Sequence, residues 1–132
     1  MCWLLNKYFL SSFILRLGLG VVFLFFGVGK FLGDVWAQTI PNFSLIQMLP
    51  LSAHTIVIII GSSEVIIGGL LIVGLFTRWV ALAASVELII ILLLLNFSEI
   101  RDIGLLAGFL SLVFTGSSFL SLDALLFHNE AS

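Results

Sequence analysis

The sequence predicts an all-α fold, a transmembrane four-helix bundle with an interfacial or re-entrant segment between helices 1 and 2. Two observations carry this reading. Of the 132 residues, 61% are hydrophobic and only 9% are charged, against about 25% charged in soluble domains. A soluble domain of this size needs a large polar exterior, and these few charged side chains cannot cover one. The second observation is spacing: four apolar runs of near-spanning length are divided by short polar or proline-marked breaks. The length fits one domain over residues 1–132.

The runs lie at about 8–29, 53–76, 79–95 and 103–120. Each approaches the ~20 residues a helix needs to cross hydrocarbon. Helix follows because lipid offers the backbone amides no partners. The first run begins after one basic residue, Lys7, stays apolar to Val28 and lacks a small-x-small cleavage site. It is therefore expected to remain as a span and not to be removed as a leader. Between the first and second runs, residues 33–52 carry Trp36, Pro41, Phe43, Ile46, Met48 and Pro50. That stretch is too apolar for a solvated loop and too short for a domain, so it is expected to lie in or dip into the interface. Only Thr77 and Arg78 separate the second and third runs, which predicts a tight antiparallel hairpin. The link over 96–102 is short and polar, and the tail over 121–132 is polar.

Four spans place both termini on one face. That face carries Lys7 and Arg78, with Arg16 nearby, and the other carries Lys30 and Arg101. The count of basic residues favours cytoplasmic termini by a small margin. Trp3, Tyr8 and Trp79 fall at the terminal face and Trp36 at the other, as an aromatic belt requires.

Arg16, Glu64 and Glu87 fall inside the spans, where each costs ~2.5–3.5 kcal/mol on insertion scales. Such residues face the bundle interior and find partners. Arg16 and Glu87 enter from the same face, each ~8 residues into its span and so ~12 Å deep. Glu64 lies near the midplane, which predicts a cluster of all three. One arginine facing two carboxyls leaves excess negative charge, so Glu87 is expected to hold its proton at neutral pH. Three readings of the cluster stay open: a packing lock, a ligand or quinone pocket, and an ion or proton path. Glu99, Arg101 and Asp102 gather with Lys30 at the opposite face, where snorkelling and helix capping explain them.

Helical spacing adds a pattern. Arg16, Gly20, Phe23, Gly27 and Lys30 recur every three or four residues and occupy one stripe. Gly61, Glu64 and Gly68 share a face of the second span, and Gly104 and Gly108 share one of the fourth. Glycines on such stripes let helices approach closely.

Several function classes are excluded or unsupported. With net charge −2 and five basic residues, no phosphate-neutralising patch exists, so nucleic acid is not an expected partner. The single cysteine, Cys2, cannot form an internal disulfide or a dithiol redox pair. His54 and His128 fall at opposite faces, so no metal or haem site is expected. Gly29-Lys30 lacks the rest of a phosphate loop, and no hydrolase or metalloprotease motif occurs.

The stripe Arg16, Gly20, Phe23, Gly27, Lys30, Phe31 resembles the first helix of the DoxX family of small four-helix membrane proteins. The second span is similar to that family's second helix and following turn through Gly61, Glu64, Gly68, Gly69, Gly74, Thr77 and Arg78. Arg101, Asp102, Gly104 and the closing Gly116, Ser121 and Asp123 match its fourth. Glu87 lies outside these motifs. The resemblance implies a bacterial or archaeal inner-membrane protein associated with redox systems. Some relatives look like small subunits of thiosulfate:quinone oxidoreductases, and others accompany superoxide- and thiol-handling proteins. The expected role is an accessory or anchoring subunit of a quinone-linked redox assembly in the cell (inner) membrane. Besides the lipid bilayer, the expected partner is an oxidoreductase subunit, soluble or membrane-bound, or a second copy of the chain. The only cofactor implied is a quinone, held by no covalent bond or metal ligand, with electrons arriving from another subunit. Its expected pocket is the polar cluster of Arg16, Glu64, Glu87 and Lys30, of which Arg16, Glu64 and Lys30 would polarise a quinone carbonyl or lock the partner-facing helices. Two alternatives remain beside it: a small-molecule or proton transporter, and a purely structural or assembly protein.

Overall fold

The structure, a computed structural model, describes residues 2–33, 38, 44–95 and 100–116. Among these residues it is all helical: α1 (Cys2–Leu32), a single turn α2 (Ser44–Gln47), α3 (Ala53–Val73), α4 (Thr77–Leu94) and α5 (Ile100–Thr115). Three stretches are long and apolar enough to cross a membrane: Leu10–Leu32, Ala53–Val73 and Thr77–Leu94. The fourth helix, α5, has 16 described residues and so reaches ~24 Å, short of ~30 Å of hydrocarbon. Its expected continuation to residue 120 lies outside the described residues, as do Trp36, Pro41, Phe43, the link over 96–99 and the tail.

The helix ends differ from those expected, each for a local reason. The first helix starts at Cys2, not near residue 8, because nothing in Trp3 to Lys7 breaks a helix. The second helix ends at Val73, three residues early. Gly74 takes the left-handed conformation (φ 79°) and its N–H donates to the Leu70 carbonyl, a C-terminal cap. Leu75 donates to the same carbonyl. The hairpin turn is therefore 74–76, with Phe76 also at positive φ, and Thr77 and Arg78 open α4. At its start α3 is capped by Ser52, whose hydroxyl accepts from Thr55 N–H.

Packing is tightest between α1 and α3. A Cβ on Gly27 would stand 2.9 Å from Val65 N and 3.0 Å from Gly61 O, and one on Gly68 would stand 2.8 Å from Gly20 O. The glycine stripes thus face each other, antiparallel, with Gly20 opposite Gly68 and Gly27 opposite Gly61. Lipid gives helices no hydrophobic reason to associate, so such van der Waals approach is what holds them. In the fourth helix Gly108 meets the Leu19 side chain, but Gly104 has nothing within 4 Å. Gly104 is exposed and packs against none of the described residues.

A single apolar layer closes the middle of the bundle. Leu19 and Phe23 of α1, Ile67 and Leu71 of α3, Ala81, Ala84 and Leu88 of α4, and Phe109 and Leu112 of α5 form it. Phe23 and Phe109 meet edge to face, 4.7 Å between centroids. At the termini end, Ser12 donates to the Gly116 carbonyl, and a Cβ on Gly116 would run into the Arg78 guanidinium. Tyr8 and Trp79 are exposed there. At the opposite, loop end, Ile46 of α2 is buried against Ile56 and Val57.

Candidate functional site

Polar groups inside the bundle collect on the loop-end side of the apolar layer. Lys30, near the C-terminus of α1, donates from Nζ to Glu64 Oε2 at 2.5 Å, and both side chains are less than a tenth exposed. The α1–α3 register explains the pairing. Gly27 opposite Gly61 sets Glu64 against about residue 24 of α1, and since each side chain leans toward its own helix's N-terminus, Lys30 and Glu64 lean toward each other. The lysine stem therefore reaches back one turn into the bundle and does not snorkel out.

Arg16 does not join this group. By the same register it stands opposite Ile72, roughly eight residues and ~12 Å along the helix from Glu64. It is 1% exposed, with its guanidinium carbon 5.3 Å from the Phe13 ring centroid. The expected three-way meeting of Arg16, Glu64 and Glu87 is thus replaced by two polar regions divided by the apolar layer. One holds Arg16 at the termini end and the other holds Lys30, Glu64 and Glu87.

Glu87 comes to the same level from α4. Its Oε1 is in hydrogen-bond contact with Ser63 Oγ, and its Oε2 is buried without a hydrogen-bond partner among the described residues. Glu87 lies close enough to Glu64 and Lys30 to feel both charges. Glu64 in turn feels Asp102 and Arg101. Asp102, in the first turn of α5, is only 5% exposed and points inward, beyond the capping role expected of it. Arg101 is half-exposed, donates from Nε to Asp102 Oδ1 at 3.3 Å, and stacks its guanidinium 4.1 Å above Phe26. Glu99 lies outside the described residues.

Two spaces adjoin these groups. Lys30, Glu64, Arg101 and Asp102 share a chamber of about 40 Å³, closed by Phe23, Ile46 and their apolar neighbours. At ~10–15 Å³ per water it has room for two or three molecules, far below the ~300 Å³ at which ligand pockets begin. The second space is a groove of about 730 Å³ between α3 and α4, roofed at the loop end by Leu49 and Leu51 and reaching Trp79 at the other. Its walls are isoleucine, leucine, alanine and valine except for Ser63, Glu87 and Trp79. Among the described residues no group of three or more His, Cys, Asp or Glu could hold a metal ion.

Ser63, Phe26 and the inward turn of Asp102 are the residues that sequence reasoning passed over. Asp102 left a signal: it shares the helical stripe of Phe109 and Leu112, the buried face of α5. Ser63 left a weaker one, a hydroxyl next to a carboxyl inside an apolar span.

No curated protein and no solved structure matches the chain significantly. The family comparison does find a match, to DoxX, over residues 11–96. The matched region runs from α1 to just past the end of α4 and stops short of α5. It holds Lys30, Glu64, Ser63, Glu87 and the glycine seam, and it covers more than half of the sequence. The chain belongs to the DoxX family.

Proposed function

We propose that this DoxX-family membrane protein is an accessory or anchoring subunit of a quinone-linked redox assembly, and that the quinone ring sits in the α3–α4 groove. The observation that carries this reading is the groove itself: a long apolar slot with one hydroxyl–carboxyl pair, Ser63 and Glu87, on its walls. Ligand sites combine an apolar lining with a few placed polar groups. An acyl chain of a bilayer lipid would fill the slot but leave the carboxyl unanswered, whereas a ring bearing C=O or C–OH answers it. The interior chamber, where Lys30 and Glu64 meet, is too small for such a ring. Electrons would come from a partner oxidoreductase, soluble or membrane-bound. The membrane is the cytoplasmic (inner) one, with the termini on the cytoplasmic side, in line with the basic residues Lys7, Arg16 and Arg78 at that end.

A transmembrane transport path would have to cross the layer of Leu19, Phe23, Leu71, Ala84, Phe109 and Leu112, and close-packed interiors carry few voids larger than a water molecule. The test of the quinone reading uses Trp79, which lines the groove. Decylubiquinone added to the purified chain should quench tryptophan fluorescence saturably. Filling the slot with Ala83→Trp, at an exposed wall position, should weaken apparent affinity by tenfold or more, about 1.4 kcal/mol. Recovery from native membranes with neither a quinone nor a second polypeptide, together with non-saturable quenching, would remove the reading.

A further inference from the structure

The groove is walled by Glu87 and the chamber by Glu64 and Asp102, and the two spaces share Ile60 and Ile91, one helical turn from Glu64 and Glu87 respectively. Ser63 Oγ lies 2.8 Å from the Ile60 carbonyl and 3.1 Å from that of Ile59, and it also meets Glu87 Oε1. A serine hydroxyl has one proton and two lone pairs. That one proton can serve only one of the three acceptors, and where a backbone carbonyl takes it, the contact with Glu87 is made by a proton on the carboxyl. Oε2, buried without a partner among the described residues, is tolerable as the carbonyl oxygen of a neutral acid and costly as part of an anion.

A proton held there needs a way to reach water. From the termini end the apolar layer blocks it. From the loop end, the groups that face Glu87 and its neighbours are Lys30 of α1, Ser63 and Glu64 of α3, and Arg101 and Asp102 of α5. The chamber of about 40 Å³ lies among Lys30, Glu64, Arg101 and Asp102. It holds enough polar partners to keep two or three waters, each needing ~2–4 hydrogen bonds. Arg101 opens that chamber to the surface, its side chain being 42% exposed.

We infer that Glu87 is a proton-loading site, connected to the loop-end face alone by a relay of Asp102, chamber water and the Lys30–Glu64 pair. Proton transfer through it is an exchange: an O–H bond at Glu87 breaks, an equivalent one forms on the neighbouring acceptor, and the charge returns from the loop-end face. Where the groove holds a quinone, a point that rests on the reading above, this relay fixes the side of the membrane from which the ring draws its proton. The relay itself stands on Glu87 and the chamber, whether or not the groove is filled.

Infrared spectroscopy of the full chain in a maltoside detergent, which has no carbonyl, tests the relay without any quinone. The difference between wild type and Glu87→Gln should isolate one protonated-carboxyl band, and transfer to D2O should shift that band. Glu64→Gln should slow the shift by about a hundredfold, the lower end of what a positioned proton-transferring group contributes. Leu105→Phe, which adds apolar volume to the chamber wall without touching a charge, should slow it similarly, so misfolding of the first variant leaves the test intact. Absence of a Glu87-dependent protonated band overturns the inference. So does an exchange rate in Leu105→Phe equal to that of wild type. Saturable quenching of Trp79 by decylubiquinone alongside either result would leave the quinone reading standing and remove only the relay.

Discussion

The glycine seam between α1 and α3 makes a prediction whose sign changes within one turn of one helix. At Gly27 an added Cβ would lie 2.8 Å from Val65 Cγ2, 2.9 Å from Val65 N and 3.0 Å from Gly61 O. Two of these three neighbours are backbone, so no rotamer change relieves the collision and the helices must separate. Forcing a methyl into a packed contact costs ~1–3 kcal/mol. At Gly29, two residues on, nothing stands within 4 Å, and replacing a mid-helix glycine by alanine stabilises by ~0.5–1 kcal/mol. The propensity gain is common to both sites, so Gly27→Ala should be less stable than Gly29→Ala by the packing cost, roughly 1–3 kcal/mol. Reversible unfolding of both variants in mixed micelles, followed by far-ultraviolet circular dichroism, measures the difference. Equal stabilities, or a Gly27→Ala variant more stable than wild type, would mean that α1 and α3 do not meet along this stripe. The pairing of Lys30 with Glu64 would then lose its geometric basis.

Other substitutions probe the site and the core. Lys30→Met strands a buried carboxylate and should destabilise by ~3–5 kcal/mol, while Lys30→Met combined with Glu64→Leu should recover most of that loss. The same unfolding titration, run as a double-mutant cycle, decides it. Phe109→Ala, at the centre of the apolar layer and fully buried, should cost ~3–5 kcal/mol. Gly61→Ala would press on Gly27 O, Lys30 Cβ and Phe31 Cε2, all at 3.3 Å. Its effect should be non-additive with Lys30→Met by more than ~0.5 kcal/mol, whereas Gly20→Ala, nearly three turns from Lys30, should add within ~0.3–0.5 kcal/mol.

Much of the fold could be read from composition and period alone. Apolar runs of spanning length admit only helices, and the stripes Gly20–Gly27 and Gly61–Gly68 were each visible by spacing. What spacing did not supply was the register between them. Depths counted from the apparent start of each apolar run put Arg16 level with Glu87 and within reach of Glu64, but α1 is helical from Cys2, and a run's first apolar residue is not a fixed height. Setting the stripes against each other, antiparallel, would have placed Lys30 beside Glu64 without coordinates. Lys30 carries two readings by sequence, an interfacial residue and a member of the interior pocket with Glu64. A lysine at the end of a span is ordinarily a snorkelling residue, yet at a helix C-terminus its Cα–Cβ bond points back into the bundle. Ser63 could not be singled out, because a serine in an apolar helix usually satisfies itself on a carbonyl one turn back, as Ser62 does on Ile58.

The two interior carboxyls are answered in different ways, and this difference organises the site. Glu64 has an ammonium at 2.5 Å, a partner that favours the charged form and sits where the helix seam is tightest. Among the described residues Glu87 has as hydrogen-bond partner a serine already engaged with its own backbone, in a wall that borders a groove between two more loosely joined helices. One carboxyl is therefore locked to the rigid half of the bundle and the other stands at its adaptable edge. A protein that only needed to fix helix packing would gain nothing from the second carboxyl, since a leucine at position 87 would fill the same wall without a buried polar atom. A carboxyl in the wall of a lipid-facing slot, one helical turn from Ile91 in the chamber's lining, instead stands where the proposed relay would pass a proton to a ligand dissolved in the membrane.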